Sequence, residues 1–302
     1  MSFENIIGNE KNKELLKNTI ETESIAHSYM FVGQDGIGKQ KFAISFAKMI
    51  LCLSQDKEEC NNCDSCIKFN SGNHPDFIKI EPDGNSIKIA QMREMQEYIY
   101  QKPILSDRKV FIINDAEKMT EEAQNSLLKT LEEPPEYVTI ILIVSNENMM
   151  LNTIKSRCLR LYFKNISNEN MIKYIKDKNT ISHISDNIVD MCNGSFSKLE
   201  SISENLDKYM EIESLCKNMI ERKMSIIDIF NSSESIYKSK DDIQDLLEYM
   251  IVILYNKIKE DPIYNNKYFN MIKIIENARK KLNSNSNYDM CIDEIFLKLS
   301  EV

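Results

Sequence analysis

The sequence predicts an α/β domain built on a parallel sheet with helices on both faces, followed by a remainder that is nearly all helix. Three observations predict it. Short, continuous apolar runs at 30–32, 110–113 and 139–144 read as buried strands, and they alternate with helix-like periodicities. The chain's seven glycines and six prolines lie mostly in its first half. Towards the C-terminus, apolar residues recur at three- and four-residue steps: Ile243, Leu246, Leu247, Met250, Ile251 and Leu254, then Met271, Ile272 and Ile275.

Composition narrows the class. With 302 residues, 42% hydrophobic and 28% charged, the chain has the make-up of an ordinary soluble protein of two or three domains. A net charge of −9 argues against a surface that alone supplies a nucleic-acid grip. Residues 1–13 hold no apolar signal-peptide core, and the longest apolar run, 250–255, falls far short of the roughly 20 residues a spanning helix needs. The expectation is a cytoplasmic protein whose eight cysteines are thiols or metal ligands rather than disulfides.

Taken in order, residues 9–21 predict an amphipathic helix with Leu15, Leu16 and Ile20 on one side. The first strand then feeds Gly33-Gln34-Asp35-Gly36-Ile37-Gly38-Lys39-Gln40, and a helix through Phe42, Ala43, Phe46, Ala47 and Ile50 runs out near Leu51. Gly33-x4-Gly38-Lys39 is a phosphate-cradling loop (P-loop). Its glycines let backbone N–H groups approach an anion, and the helix start adds its positive dipole end. The candidate nucleotide contacts are Gly33, Gly36, Ile37, Gly38, Lys39 and Gln40. Gln40 stands where the pattern requires Ser or Thr, so the small hard oxygen that would bind Mg²⁺ is missing.

Cys52-x7-Cys60-x2-Cys63-x2-Cys66 follows, and the polar residues between the cysteines argue against a buried apolar cluster. Short Cys-x2-Cys steps let one turn present two sulfurs to one metal, so these four predict a closed, structural Zn²⁺ site. Cys158, Cys192, Cys216 and Cys291 are scattered and read as core-filling thiols. Gly72-Asn73-His74-Pro75-Asp76 is a turn into a strand at 77–80. His74 is either a further metal ligand or, the favoured reading, a hydrogen-bonding loop residue. Residues 89–100 predict a helix with Met92, Met95, Ile99 and Gln96 facing inward.

The strand at 110–113 ends in Asn114-Asp115-Ala116-Glu117. A P-loop ATPase places there an Asp that holds Mg²⁺ through water, commonly with a Glu beside it. Asn114 is neutral, and neither Asp115 nor Glu117 sits at the expected step, so a second metal-handling element is damaged. Thr120-Glu121-Glu122 starts a helix with a capping hydroxyl and acids at the positive dipole end. Ala123, Leu127, Leu128 and Leu131 form its stripe, and Pro134-Pro135 stops it at Glu133. A further buried strand is expected at 159–163, after Ser156-Arg157-Cys158. Residues 167–206 read as short helices broken at Asn193-Gly194. Loops are expected at Asp261-Pro262 and at 283–287.

These pieces together resemble the AAA+ subunits of bacterial clamp loaders. The resemblance rests on His27-Ser28-Tyr29-Met30-Phe31, the cysteine module, Gly72-Asn73-His74-Pro75-Asp76 and Asp115-Ala116-Glu117-Lys118-Met119. It rests most specifically on Asn125-Ser126-Leu127-Leu128-Lys129-Thr130-Leu131-Glu132-Glu133-Pro134-Pro135 followed by Ser156-Arg157-Cys158. It covers residues 1 to about 200 well and the helical remainder in outline. It implies a nucleotide-binding core at 1–165 carrying the zinc module at 52–66, a helical lid at 166–206 and a helical collar domain at 207–302. It implies as partners the delta and gamma/tau subunits, and through the complex the sliding clamp and primer-template DNA, with no membrane.

By the same resemblance Arg157 is the arginine finger, inserted across a subunit interface towards a neighbour's ATP. Active motor subunits also carry a lid arginine shortly after Gly-Ser; in Gly194-Ser195-Phe196-Ser197-Lys198 that place falls at Ser197, with Lys198 a displaced substitute. Gln40, Asn114 and Ser197 are thus three losses on the nucleotide side beside a kept finger on the donor side. The implied function is a largely non-hydrolysing subunit of the DNA polymerase III clamp loader, which completes the ring and helps load the clamp. Alone it would have no polymerase activity and little or no ATPase. ATP or ADP binding stays open, with Mg²⁺ coordination impaired. An active gamma/tau-type ATPase and a zinc-ribbon nucleic-acid-binding protein are the alternatives.

Overall fold

The computed structural model describes residues 3, 6–54, 60–178, 184–221, 240–284 and 287–301. The chain divides into two compact units, residues 1–170 with 195–197 and residues 171–194 with 198–302.

The first unit carries five parallel strands in the order β2-β3-β4-β1-β5: β1 (Ser28–Val32), β2 (Phe77–Ile80), β3 (Lys109–Ile113), β4 (Val138–Val144) and β5 (Leu159–Tyr162). Its helices are α1 (Glu10–Glu21), α2 (Lys39–Leu51), α3 (Asp64–Asn70), α4 (Ile89–Ile99), α5 (Glu121–Glu132) and α6 (Asn152–Lys155). Side chains alternate across a strand, so the central strands feed two core layers. Met30, Phe111, Ile113, Ile140 and Leu142 meet Met92, Met95 and Ile99 of α4 and Ala123, Leu127 and Leu131 of α5. Tyr29, Phe31, Val110, Ile112, Ile141 and Ile143 meet Leu16 and Ile20 of α1 and Phe42, Phe46 and Ala47 of α2. The register Met30↔Leu142 and Phe111↔Ile140 keeps residues of one layer side by side.

Two expectations are corrected here. Leu15 does not join the α1 stripe: it is 39% exposed, because Leu16 and Ile20, four apart, already define the buried line. β5 is not buried on both faces. It lies at the sheet edge, where Leu161 is buried while Leu159 and Tyr162 are exposed. The expected bounds of α5 hold. Thr120 Oγ1 accepts from the Ala123 N–H and caps α5, and Gln96 faces inward to donate to Ser126 O at 2.6 Å.

The second unit holds most of α7 (Asn168–Lys178) and α9 (Phe196–Glu204), with α8 (Asp186–Cys192), α10 (Leu206–Ile220), α11 (Ile243–Glu260), α12 (Asn265–Asn283) and α13 (Tyr288–Ser300). The predicted break at Asn193-Gly194 is two successive left-handed residues, with φ of 46° and 76°. All six stripe residues of α11 are buried, and α11 packs against α8, α10 and α12. Glu213 of α10 ties these helices by accepting from Ser185 Oγ (2.9 Å), Asn187 Nδ2 (2.8 Å) and Tyr249 OH (3.0 Å). α12 continues through Asn283, one residue into the expected loop, of which residues 285 and 286 lie outside the described residues. Among the described residues no helix is long and apolar enough to cross a membrane.

Candidate functional site

The glycine-rich loop leaves β1 at the carboxyl end of the parallel sheet, the edge where open α/β folds bind ligands. Gly36 and Gly38 take φ of 76° and 94°, a left-handed backbone that a side chain would strain. Gly38 then becomes the N-cap of α2, and Lys39 is its first residue. The lysine turns inward. Only 4% exposed, it donates from Nζ to Gly33 O (2.6 Å), Gln34 O (2.8 Å) and Ser145 Oγ (3.3 Å). Burial pulls its pKa down, while Asp35, Glu117 and Asp115 push the other way. Asp35 lies 3.8 Å from Lys39 Nζ and also bonds Ser145 Oγ. Ile37 is buried and Gln40 half-buried as the second residue of α2.

Of the groups that follow β3, Asn114 and Asp115 are taken up by local bonds. Asn114 Nδ2 donates to Asp115 Oδ1 at 3.3 Å, and Asp115 pairs with Lys118 at 2.9 Å. Glu117 Oε1 accepts from the Ser145 N–H at 3.1 Å; its Oε2 is buried with no partner among the described residues. The segment 195–197 rests on the loop: Phe196 N–H donates to Gly36 O at 2.8 Å, and a Cβ at Gly36 would collide with Ser195 Oγ. In the second unit, Lys198 pairs with Glu248 at 3.0 Å, and Arg279 meets the same carboxylate at 3.3 Å. The loop thus has the left-handed glycines and the helix start that suit an anion, with Lys39 turned onto the loop's own carbonyls. At the two positions where that pattern expects Mg²⁺ ligands stand the neutral amides Gln40 and Asn114. Asp35 stands four residues before Lys39 in the same loop, whereas Ser145 and Glu117 reach Lys39 only through the topology, from the ends of β4 and β3. The readable signal was the place of Asp35 within the loop; the pairing of β4 with β1 that brings Ser145 in is visible only in the sheet.

The four cysteines converge as the spacing predicts. Their sulfurs all lie within 4.8 Å of one another. Cys52–Cys60 and Cys52–Cys66 are 3.6 Å apart, and Cys60–Cys66 3.9 Å. A tetrahedral metal with sulfurs at about 2.3 Å has edges of roughly 3.8 Å, whereas a disulfide needs about 2.05 Å. Backbone N–H groups of Cys63 and Cys66 donate to Cys60 Sγ and Cys63 Sγ, each at 3.4 Å. Bonds of this kind, the Asn62 N–H foremost, hold the Cys60 thiol down at about 6, while burial pushes the Cys66 thiol up. The donor set and its spacing fit one metal ion.

His74 is not a ligand. Its Nδ1 accepts from the Asp76 N–H at 3.1 Å and its Nε2 meets Ser65 Oγ at 2.9 Å; burial lowers its pKa and keeps the ring neutral. Ser65 Oγ and Ser106 Oγ both donate to Leu51 O, at 2.6 and 2.8 Å. Asp76 accepts from the N–H groups of Ile104, Leu105 and Ser106 at 2.7 to 2.9 Å. The cysteine module is thus bonded into the loop that enters β3.

Arg157 follows α6 and is placed from three sides. Ile154 is fully buried, Ser28 Oγ donates to Arg157 O at 2.6 Å, and buried Gln124 of α5 accepts from Leu151 N–H at 2.9 Å. Its guanidinium reaches Glu132 Oε1 (2.7 Å) and Thr153 O (2.9 Å), with the side chain 34% exposed. Burial pushes the Cys158 thiol up to about 11, as expected of a core-facing thiol.

A parallel sheet with a P-loop after its first strand, a cysteine module and a serine-arginine-cysteine turn define a protein of the P-loop AAA+ class. A family model described as DNA polymerase III, delta subunit, matches residues 8–167. The chain belongs to that family, whose delta′ members are clamp-loader AAA+ subunits. It is 29% identical to DNA polymerase III subunit delta′ of Bacillus subtilis over 95% of both chains. It is 30% identical to subunit gamma/tau of Mycoplasma genitalium over 76% of this chain, which spans 39% of that relative's length. A DNA polymerase III gamma subunit-related protein of Thermotoga maritima shares the fold, with a TM-score of 0.55 at 23% identity over 95% of this chain and 98% of that one.

Proposed function

We propose that this chain is a delta′-type subunit that completes the clamp-loader ring, hydrolyses little or no ATP itself and offers Arg157 to the nucleotide of an adjacent gamma/tau subunit. With the delta subunit it serves an assembly that opens the sliding clamp and sets it on primer-template DNA in the cytoplasm. Residues 1–165 are the nucleotide-binding core, 166–206 the lid and 207–302 the collar, and Cys52, Cys60, Cys63 and Cys66 hold a structural zinc.

One asymmetry carries the reading. Lys39 is 4% exposed and bonded to its own loop, whereas Arg157 is 34% exposed on a turn that Ser28 Oγ bonds to the body of the domain. For Lys39 to serve a phosphate it must leave Gly33 O and Gln34 O, and Gln40 and Asn114 then offer Mg²⁺ no hard anionic oxygen. Lys198, the displaced lid substitute, is committed to Glu248. ATP or ADP held by Gly33, Gly36, Ile37, Gly38, Lys39 and Gln40 would therefore be held without turnover. A guanidinium aimed at a neighbour's γ-phosphate acts through charge developing there and needs none of these groups. Steady-state hydrolysis by the purified chain with Mg²⁺ tests this. The expected rate is that of the buffer blank, and a robust Mg²⁺-dependent turnover would contradict the reading.

A further inference from the structure

Arg157 does not hang free in solvent. Nη2 donates to Glu132 Oε1 at 2.7 Å, and Nη1 to Thr153 O at 2.9 Å and Ser156 Oγ at 3.4 Å. Nε makes no hydrogen bond among the described residues, so one edge of the guanidinium stays open while the other is held. Glu132 is itself well placed to hold it. It is the last residue of α5, behind Thr130 and Leu131, which are 0% and 2% exposed, and just before Pro134-Pro135. The C-terminal ends of α5 and α6 both lie beside the guanidinium, and their dipoles favour a cation there.

We propose that Glu132 is a positioning residue for Arg157: it orients the guanidinium in the free subunit, so that the arginine meets a neighbour's polyphosphate already aimed. The inference rests on the finger reading above. A long arginine side chain loses rotamer freedom when it engages a ligand, and ordering it beforehand moves that cost out of the catalytic step. The pair is partly exposed, 34% for Arg157 and 51% for Glu132, so its effect is modest and it yields readily to a more highly charged partner.

The test uses the reconstituted clamp loader carrying Glu132→Ala, Glu132→Gln, Arg157→Ala or the Glu132→Ala/Arg157→Ala pair. Glu132→Ala is expected to lower kcat about three- to fivefold with KM for ATP unchanged, the scale of one partly exposed ion pair. Glu132→Gln, which keeps an oxygen acceptor at the same reach, should recover most of that loss. In the Arg157→Ala background, Glu132→Ala should be silent. If Arg157→Ala depresses turnover but Glu132→Ala does not, or if the Glu132→Ala loss persists without the arginine, the positioning role is overturned and the finger stands. If Arg157→Ala leaves turnover unchanged, the finger reading falls first, and this inference with it.

Discussion

Arg157→Ala is expected to lower ATP hydrolysis at the adjacent subunit's site by about 10³-fold while leaving this chain folded. Removing a guanidinium from a γ-phosphate withdraws charge stabilisation that exists only in the transition state, and arginine fingers are worth about 10³ or more in rate. That corresponds to about 4 kcal/mol of barrier. The cost to this chain is far smaller. Glu132 and Arg157 are both partly exposed, and a surface pair of this kind contributes about 1 kcal/mol at most. Ser28 binds the Arg157 carbonyl and Ile154 is held by the core, and neither depends on the side chain. The two readouts are ATPase of the reconstituted complex and thermal unfolding of the isolated variant. Parallel losses in both would point to a structural role.

Loss of the proposed zinc is expected to be the second large effect. Metal analysis of the purified chain should give about one zinc per chain, and Cys63→Ser should lower it. Structural zinc contributes about 10–16 kcal/mol in small isolated modules, most of it folding free energy. Here the module is fastened at one edge through Ser65, His74 and Ser106 to Leu51 O, so some native structure is retained without metal. The expected outcome of chelation is a lower unfolding temperature and early proteolysis within 52–66, with the sheet unfolding later. A zinc-free chain with unchanged stability would defeat the assignment.

Much of the fold was legible because local signals agreed with tertiary ones. Val110-Phe111-Ile112-Ile113 read as a strand covered on both faces and is one, and Thr120 at one end with Pro134-Pro135 at the other bracketed α5. Leu15 misled because adjacent leucines on a helix cannot share one buried line, and periodicity alone does not choose between them. β5 misled because edge position is a property of strand order, which a local apolar run does not encode.

The site divides along the same boundary. Cysteine spacing and the glycine loop are contiguous, so their geometry was readable. Asp35 belongs to that loop, four residues before Lys39, but Glu117 and Ser145 lie far away in sequence and reach Lys39 only because β3, β4 and β1 are neighbours in the sheet. Glu132 and Arg157 are likewise joined by the packing of α5 against α6. Nor could composition say that Lys39 and Lys109, 4% and 2% exposed, would be buried; each is kept there by backbone carbonyls that accept its ammonium protons.

The most direct measurement compares two variants in the same reconstituted clamp loader, Lys39→Ala and Arg157→Ala, by steady-state ATPase in the presence of clamp and primed DNA. Zinc content and thermal unfolding of each variant serve as controls for folding. A subunit that supplies chemistry outward predicts that Arg157→Ala collapses turnover at the site it faces while Lys39→Ala leaves the complex near wild type. The reverse, a complex crippled by Lys39→Ala and indifferent to Arg157→Ala, would mean that this chain hydrolyses ATP in its own loop.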